Sequence, residues 1–499
     1  MKPWSLQQLV NHRVSMRVLW TMILGWTVVV GRLVVMRHEK FGTFDFDLGI
    51  YDQTIWLLSR GQSFITVRGM EAFGHHATFS FYLLSPLSWL GAGPNIWNVL
   101  HCFALAFCAF PLYLLARRRE ATPTQCLVIG GVWLLQPWVS WLAHETFHPE
   151  VMAMPFLLSA FLLIDPVVYQ DSAGKLSRMD RRALMLAVVA MGWKEDLALA
   201  VMMMGVVVAL LGRRRIGVWL AGFGAFWFIL FAIWLVPTLG GGTSYSGFYG
   251  DLGQTGGEVI INSLLDPVAL RDRLAENNVL LYALRLLLPF GLLALASPLL
   301  LLIMVPQFFA NVTTIYEWTY EPKFHYAAVP IVVIAIATVD GIFRMARSDR
   351  LPKFRKGSLV LILLFTSMIG ARGWGILPFS EQYEKGAWPL AESDTAGWEA
   401  AIRRVGPTDG VAAHYLAVPH LTHRSHIFTF PNPWVNSNFG VSQDDLGDPS
   451  TVEWIVIWNG GMNEVTQATL DDLIGSGEFG DPEEINGVVS YRRLRDHSG

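Results

Sequence analysis

Apolar runs recur along most of the chain and are separated by short polar segments. A helix needs about 20 apolar residues to cross a bilayer, so each run predicts a membrane span. The pattern gives about eleven candidate spans on this criterion. They lie near residues 15–36, 94–116, 123–143, 150–169, 181–193, 196–211, 216–237, 278–296, 298–311, 326–343 and 357–377.

Basic residues follow these runs in a regular way. They cluster at the amino terminus and at 117–119, 175–182, 213–215 and 344–356. If the amino terminus is cytoplasmic, every cluster falls on that same side of the membrane, as the positive-inside rule requires. The sequence therefore predicts a multi-pass plasma-membrane protein with a cytoplasmic amino terminus and an extracytoplasmic carboxyl-terminal domain.

Three segments are then expected outside the cell: a first loop at 37–93, a Gly-rich loop at 238–277, and everything from 378 onward. In the last segment the pattern changes to alternating short helices and strands. Helices are predicted at 395–405 and 468–474, and strands at 411–414, 454–458 and 488–494. We expect a transmembrane domain over residues 1–377 and a small α/β domain over residues 378–499.

Composition agrees with a polytopic α-helical membrane protein. Of the 499 residues, 53% are hydrophobic and 15% are charged, whereas soluble proteins have about 25% charged residues. The net charge of −3 argues against a nucleic-acid partner. Cys102, Cys108 and Cys126 lie in apolar runs and are expected to be packing residues. The first run is longer than the core of a signal peptide and is expected to remain uncleaved.

The first loop opens with three carboxylates, Asp45, Asp47 and Asp52. Apolar residues then recur at helical spacing at positions 48, 51, 55 and 58, which predicts an amphipathic helix at the outer interface. Asp47 could simply cap this helix. Alternatively, it could act as a general base, since a sugar hydroxyl is a poor nucleophile until a carboxylate accepts its proton.

Histidines and glutamates form the next two candidate sites. His75 and His76 near the end of the first loop could orient a phosphate or bind a metal, or have no such role. Between the third and fourth runs lie His144, Glu145, His148 and Glu150. His144 and His148 have the spacing of zinc ligands on a helix, but Pro149 should begin a new helix. We therefore expect this cluster to line a pocket first and to bind a metal second.

A further cluster, Lys194, Glu195 and Asp196, follows a run too short to cross the membrane. From Arg182 to Trp193 a helix rises only about 18 Å, and the hydrocarbon core is about 30 Å thick. These charges should lie at depth, where they are costly unless they face a protein cavity. They could form a self-neutralising cluster, or Lys194 could bind an anionic ligand.

The segment 316–326 combines aromatic and charged residues before the tenth run. Aromatic rings at an interface can be belt anchors, and they are also the surfaces on which sugars stack. We select Tyr316 and His325 from this segment as candidates for substrate binding. Arg285, inside the eighth run, and the more distant Arg372 and Arg424 are candidates to bind a phosphate.

The motifs resemble those of a known protein family. They are Phe46-Asp47-Leu-Gly-Ile-Tyr-Asp52-Gln53, the His76 region, Phe147-His148-Pro149-Glu150 and Lys194-Glu195-Asp196. They look like an uncharacterised bacterial family of multi-pass membrane proteins, a domain of unknown function grouped with the GT-C glycosyltransferase superfamily. The resemblance covers most of residues 40–345.

The resemblance implies an inverting transfer of a sugar from a polyprenyl-phosphate donor in the outer leaflet to a cell-envelope acceptor. Asp47 would be the base, with Asp45 or Asp52 as a substitute, and Lys194, Arg285 or His148 would stabilise the departing phosphate. Some relatives use a divalent cation, such as Mg²⁺ or Mn²⁺, and others none, so the cofactor stays open. The first loop lacks the Asp-Glu or Glu-Glu pair that several relatives have, which leaves the choice of base open.

Two other functions fit parts of the pattern. A transporter or flippase of a lipid-linked sugar would explain the short helices around Lys194, but no internal repeat is present and the polar motifs crowd on one face. A non-catalytic scaffold would not explain carboxylates and a lysine within the bilayer. The catalytic hypothesis requires Asp47, His148 and Lys194 to converge.

Overall fold

The computed structural model describes residues 6–169, 175–240, 247–348, 356–388, 395–438 and 441–494. The chain forms two compact units. The first contains Met1–Arg32, Val99–Ala232 and Tyr245–Ala387, and the second contains Leu33–Asn98, Ile233–Ser244 and Trp388–Gly499. The second unit thus joins most of the predicted first loop to the carboxyl-terminal segment, a grouping that the division at residue 378 did not anticipate.

Each of the eleven apolar runs contains a helix. Within the described part of the chain, five helices are long and apolar enough to cross a membrane: Asn11–Glu39, Pro94–Arg118, Arg214–Leu239, Glu317–Arg347 and Lys356–Gly373. A sixth candidate is the pair Pro123–Leu135 and Pro137–His144, which is bent by 45°. The other apolar helices are shorter, and several are broken by proline or glycine. A multi-pass membrane protein is confirmed, whereas the count of eleven spans stays a prediction.

The first unit is helical. Its α-helices, including two that continue into the second unit, are Leu6–Glu39, Pro94–Phe107, Ala109–Arg118, Pro123–Leu135, Pro137–His144, Pro149–Ile164, Arg178–Met191, Leu197–Leu210, Arg214–Trp227, Gly256–Leu265, Pro267–Glu276, Val279–Leu287, Pro298–Leu301, Val305–Thr313, Ala328–Arg347, Lys356–Gly373 and Glu381–Glu384. Single turns of 3-10 helix connect several of them, including Glu317–Tyr320 and His325–Ala327.

Small residues let two of these helices approach closely. A Cβ atom on Gly205 would lie 2.3 Å from the backbone nitrogen of Ala221, and one on Gly217 would lie 2.6 Å from Ala209. Helix pairs in membranes pack in this way because lipid gives no hydrophobic drive for association. The glycines therefore fix the pairing of Leu197–Leu210 with Arg214–Trp227.

A buried ionic network joins three more helices. The Arg119 guanidinium lies 2.7 Å from Asp165 and 3.0 Å from Asp340, and all three side chains are buried. Ser297 Oγ donates a hydrogen bond of 2.6 Å to the other oxygen of Asp340, and Arg344 Nε donates one of 2.9 Å. Since every donor and acceptor in the centre has a partner, the network ties the ends of Ala109–Arg118, Pro149–Ile164 and Ala328–Arg347 together.

The second unit combines short helices with two sheets. Its α-helices are Ile50–Leu58, Ala72–His75, Ser85–Ser88, Val236–Leu239, Ala396–Arg404 and Glu464–Gly475, and its strands are β1 (Phe64–Ile65), β2 (Met70–Glu71), β3 (Val411–Ala413), β4 (Ile427–Thr429), β5 (Trp454–Trp458), β6 (Phe479–Ile485) and β7 (Val488–Arg493). β1 and β2 form a small antiparallel pair. The other five form one sheet in the order β4-β3-β5-β7-β6.

The predicted elements of the carboxyl-terminal segment are all present, and two strands were missed. β3 pairs in parallel with β4 and β5, while β7 is antiparallel to β5 and β6. The missed strands are β4 and β6, and β6 escaped the sequence analysis because it carries four consecutive polar or proline residues at an edge. The core of this sheet is apolar and includes Phe428, Ile455 and Phe479.

Candidate functional site

The first component of the site is the turn between Pro137–His144 and Pro149–Ile164. Pro149 is the first residue of its helix, as the sequence predicted, and His148 occupies the capping position before it. The backbone N–H of His148 donates to His101 Nδ1 at 3.2 Å, and His101 Nε2 lies 2.9 Å from the carbonyl oxygen of Leu142. His101 is therefore neutral with its proton on Nε2, and its two hydrogen bonds tie His148 to Leu142.

Two residues of this turn, Glu145 and His148, lie close to His325. His325, in the turn before Ala328–Arg347, places Nδ1 3.0 Å from Glu145 Oε1. Its ring stacks on that of His148 with 4.2 Å between centroids. One possible ligand atom from each of Glu145, His148 and His325 lies within 4.8 Å of the others. We call these three residues the His–Glu cluster.

A buried ion pair lies beside the His–Glu cluster. Lys194 Nζ donates a short hydrogen bond to Glu150 Oε1 and lies 3.8 Å from Asp196 Oδ2. His325 Nε2 lies 3.8 Å from the same oxygen of Glu150. The closest acid to Lys194 is thus Glu150, which lies outside the local cluster of Lys194, Glu195 and Asp196 that the sequence analysis considered. The role of Lys194 as a phosphate ligand stays a prediction.

The charges here are unbalanced. Three acidic side chains, Glu145, Glu150 and Asp196, lie around the single Lys194 ammonium, and Glu145 Oε2, Glu150 Oε2 and Asp196 Oδ1 are buried without a hydrogen bond to any described residue. A buried carboxylate is costly unless it is paired or binds a metal. The acids in excess of Lys194 are therefore neutralised by their own protonation, by protonated imidazole or by a bound cation.

A small cavity opens next to Glu150. It has room for about one water molecule and is lined by Glu150, Asp196, Leu197, Gln307, His325, Tyr326 and Val329. Sites for drug-sized ligands are about 300–1,000 Å³, so this cavity is far too small for a lipid-linked sugar.

The donor atoms indicate which cation would fit. Two imidazole nitrogens and a carboxylate oxygen suit Mn²⁺, Fe²⁺ or Zn²⁺, whereas Mg²⁺ prefers oxygen ligands alone. The cluster therefore fits a transition metal better than it fits Mg²⁺, the other cation that the sequence analysis allowed.

Other candidates of the first unit lie elsewhere or have local partners. His144 Nε2 lies 2.9 Å from the carbonyl oxygen of Ala387. Arg285 Nη1 donates to Glu321 Oε2 at 2.7 Å. Glu195 is buried. Tyr316 is half-buried and stacks on the exposed ring of Trp318 with 4.4 Å between centroids, which makes an aromatic surface of the kind that sugars contact.

The second unit contains the acidic segment that was predicted to supply the base. Residues Asp45–Gly49 form a tight turn that is not helical at Phe46 and Asp47, and Asp47 has φ 67° and ψ −83°. The helix Ile50–Leu58 begins after Gly49, so Asp47 does not cap it. Asp45 Oδ2 accepts a hydrogen bond of 2.6 Å from Thr429 Oγ1. Burial raises the pKa of Asp45, and this hydrogen bond opposes the rise.

Asp52 has a different environment. It is 1% exposed, and its carboxylate accepts hydrogen bonds from Trp97 Nε1 at 2.6 Å and from Thr422 Oγ1. His423 Nε2 lies 3.2 Å from Oδ2. With its oxygens engaged in this way, Asp52 is suited to hold the first loop to the carboxyl-terminal segment. His75 and His76 are buried in the same unit, with their rings 4.4 Å apart.

The structure thus brings together Glu145, His148, Glu150, Lys194 and His325 of the predicted residues. Asp45, Asp47, Asp52 and His76 belong to the second unit, so the convergence of Asp47 with His148 and Lys194 stays a prediction. Sequence analysis missed His101 and Gln307. Both are polar residues within apolar helices, which is the signal that could have drawn attention to them. Arg424 donates to three backbone carbonyls, and burial lowers its pKa to about 10.

Comparison with known proteins now identifies the family. A family model described as predicted membrane protein (DUF2079) matches residues 37–490. The chain belongs to this family. A search of curated protein sequences found no match.

Solved structures show the fold. The structure is similar to ArnT from Cupriavidus metallidurans bound to undecaprenyl phosphate, with a TM-score of 0.55 and 12% identity over 96% of this chain and 98% of that one. The apo state of that protein has the same TM-score and coverage at 11% identity. The Archaeoglobus fulgidus oligosaccharyltransferase in its apo form has a TM-score of 0.41 and 14% identity, over 87% of this chain and 69% of that one. The likeness to ArnT shows a shared fold, and the expected membership in an uncharacterised family of membrane proteins is confirmed.

Proposed function

We propose that this protein is a GT-C-type glycosyltransferase that moves a sugar from a polyprenyl-phosphate donor to a cell-envelope acceptor on the extracytoplasmic side. The His–Glu cluster with the Glu150–Lys194 pair beside it carries the proposal, because the cluster groups metal-ligating and charged side chains inside a fold shared with ArnT. The ArnT structure contains undecaprenyl phosphate, which supports a lipid phosphate as the leaving group.

In the proposed reaction, Asp47 accepts the proton of an acceptor hydroxyl as its oxygen attacks the anomeric carbon. The bond from that carbon to the donor phosphate oxygen breaks with inversion, and the lipid phosphate leaves with the electron pair. A rise in negative charge on this phosphate is the change that an enzyme can stabilise electrostatically.

The His–Glu cluster is assigned to a divalent cation, held by Glu145, His148 and His325. Such a cation supplies a Lewis acid for phosphate oxygens. Lys194 keeps Glu150 ionised beside it, and His101 fixes the turn that carries His148. The stacked Tyr316 and Trp318 offer a flat surface for a sugar ring.

The decisive experiment gives the purified protein in liposomes a radiolabelled polyprenyl-phosphate sugar and crude envelope acceptors. We expect covalent transfer that Asp47→Asn reduces at least about 100-fold, within the range for loss of a general base. Movement of the lipid across the bilayer without covalent transfer would instead establish the flippase alternative.

Metal binding has its own readout. The wild-type protein should retain Mn²⁺ or Zn²⁺ after gel filtration, measured by elemental mass spectrometry, and His148→Gln should lose it. His144→Gln is the matched control because His144 lies in the same segment but outside the cluster. Equal metal content in all three proteins would contradict the metal assignment.

Sidedness is tested with a membrane-impermeant maleimide on intact cells. Gln254→Cys and Asn459→Cys place thiols at exposed positions expected to be extracytoplasmic, and Arg181→Cys places one at an exposed position expected to be cytoplasmic. The native cysteines are buried and give a low background. We expect the first two variants to be labelled and the third to be labelled only after lysis.

A further inference from the structure

The acidic turn Asp45–Gly49 lies against the carboxyl edge of the five-stranded sheet. β3, β4 and β5 are parallel, so their carboxyl ends share that edge. Thr429, the last residue of β4, donates to Asp45 Oδ2 at 2.6 Å. The carbonyl oxygen of Tyr415, two residues after β3, accepts a hydrogen bond of 3.0 Å from the backbone N–H of Asp45. Two neighbouring strands therefore hold Asp45 at both its side chain and its backbone.

Packing contacts extend on both sides of this residue. Upstream, the ring of Phe41 stacks on His420 at 4.1 Å between centroids. Downstream, a Cβ atom on Gly49 would lie 3.3 Å from Val418 Cγ1, and Leu48 and Gly49 are buried. The turn is thus fixed before and after Asp47 by the segment that follows β3.

Asp47 needs such support. Its dihedral angles lie near those of the classic γ-turn, which is rare and strained. A strained residue keeps its conformation only where the surrounding structure over-determines it. Asp45 lies two positions before Asp47 and Gly49 lies two positions after it, and the contacts of these two residues supply that constraint.

We propose that Asp45 and Thr429 are positioning residues that aim the carboxylate of Asp47, and that the carboxyl-terminal sheet is a template for the catalytic loop. Asp45 then acts through Asp47 and does not substitute for it. This proposal rests on the function proposed above, in which Asp47 is the base.

The test compares Thr429→Val with Thr429→Ser in the full-length protein. Valine keeps the shape and removes the donor, and we expect kcat to fall between about 10-fold and 100-fold because small displacements of reacting groups cost up to that much. The KM for the donor should change less than about 2-fold, because the substitution removes no contact that binds the donor equally in the ground state and the transition state. Serine keeps the donor and should restore most of kcat.

Thr66→Val is the matched control. Thr66 is buried, and it accepts a hydrogen bond of 3.0 Å from the backbone N–H of Ile427, so it joins the first loop to β4 away from the acidic turn. It should lower thermal stability as Thr429→Val does, with kcat unchanged. Equal kcat values for the two valine variants would overturn the proposal.

Hydrogen exchange separates this inference from the proposed function. Backbone amides of residues 45–49 should exchange about 10-fold faster in Thr429→Val, which corresponds to the loss of one hydrogen bond. Slow exchange in this variant would overturn the template even if Asp47→Asn abolishes transfer. If instead Asp47→Asn transfers normally, the base assignment fails while the exchange result still decides whether Thr429 holds the turn.

Discussion

The backbone at Asp47 is in a conformation that few residues with a side chain adopt. A positive φ brings Cβ close to the backbone, and such residues cost about 1–3 kcal/mol and collect at active sites. Stability alone therefore does not explain why residue 47 is an aspartate instead of a glycine. Its neighbours Phe46 and Leu48 do not share the positive φ, so the strain is confined to the residue that the sequence analysis selected as the base.

This strain gives a prediction for two variants that both lack the carboxylate. Asp47→Gly relieves the strain and Asp47→Ala keeps it. We expect the glycine variant to be more stable than the alanine variant by about 1 kcal/mol, the difference expected for a left-handed position, and both to be inactive. Thermal unfolding in detergent measures the difference. An alanine variant as stable as the glycine variant would show that position 47 is unstrained.

Lys194 is the second residue whose role the structure makes specific. Replacing it by methionine leaves Glu150 as a buried carboxylate without its closest cation, and loss of one partner of a buried pair costs about 3–5 kcal/mol. We expect Lys194→Met to unfold at a clearly lower temperature and Lys194→Met with Glu150→Gln to recover most of the loss. If the double variant is no more stable than the single one, the pair is not coupled.

At the scale of elements, the short helices explain how charged residues enter an apolar protein. Arg178–Met191 and Leu197–Leu210 have 14 residues each, which is about 21 Å at 1.5 Å per residue. The turn between them carries Lys194 and Glu195 and is buried in the first unit. The sequence predicted both helices because their length follows from the apolar run alone.

The network around Arg119 allows a prediction at the same scale. Arg119→Leu leaves Asp165 and Asp340 buried without their central partner, and we expect a loss of about 3–5 kcal/mol. Arg344→Leu is the control, because that side chain is 49% exposed at the edge of the network and exposed pairs contribute about 0.2–1 kcal/mol. Denaturation monitored by tryptophan fluorescence compares them. Similar losses for both would exclude a central role for Arg119.

At the scale of the whole molecule, the second unit has a predicted dependence on pH. Burial lowers the pKa of His414 from 6.5 to about 4 and that of His420 well below its usual value. Between pH 6.5 and 4 the unfolded chain binds more protons at these residues, so stability falls as pH falls in that range. Above pH 6.5 their contribution is constant.

Fluorescence of the nearby Trp398, whose ring lies 5.3 Å from that of His414, reports this transition. As the pH is lowered from 6.5 to 4, we expect the midpoint temperature of unfolding to fall. In His414→Gln this midpoint should fall less steeply with pH. A slope unchanged by this substitution would mean that His414 titrates normally in the folded protein.

The sequence by itself determined the features that depend on neighbouring residues. Apolar runs gave the helices, Pro149 gave the break after His148, and the pattern at Trp454–Trp458 gave a buried strand. It also selected most residues of the candidate site, because ionisable groups near apolar runs are rare and costly. The edge strand Phe479–Ile485 could not be found in this way, since four of its seven residues in a row are polar or proline.

Only the tertiary structure decided which of these residues meet. Lys194 pairs with Glu150, 44 positions away, His325 reaches Glu145 across 180 positions, and Thr429 reaches Asp45 across 384. Such pairings depend on how helices and strands pack, and hydrophobic periodicity specifies the buried face of an element without specifying its partner. The charge at Lys194 was therefore predictable, whereas its neutralisation by Glu150 was not.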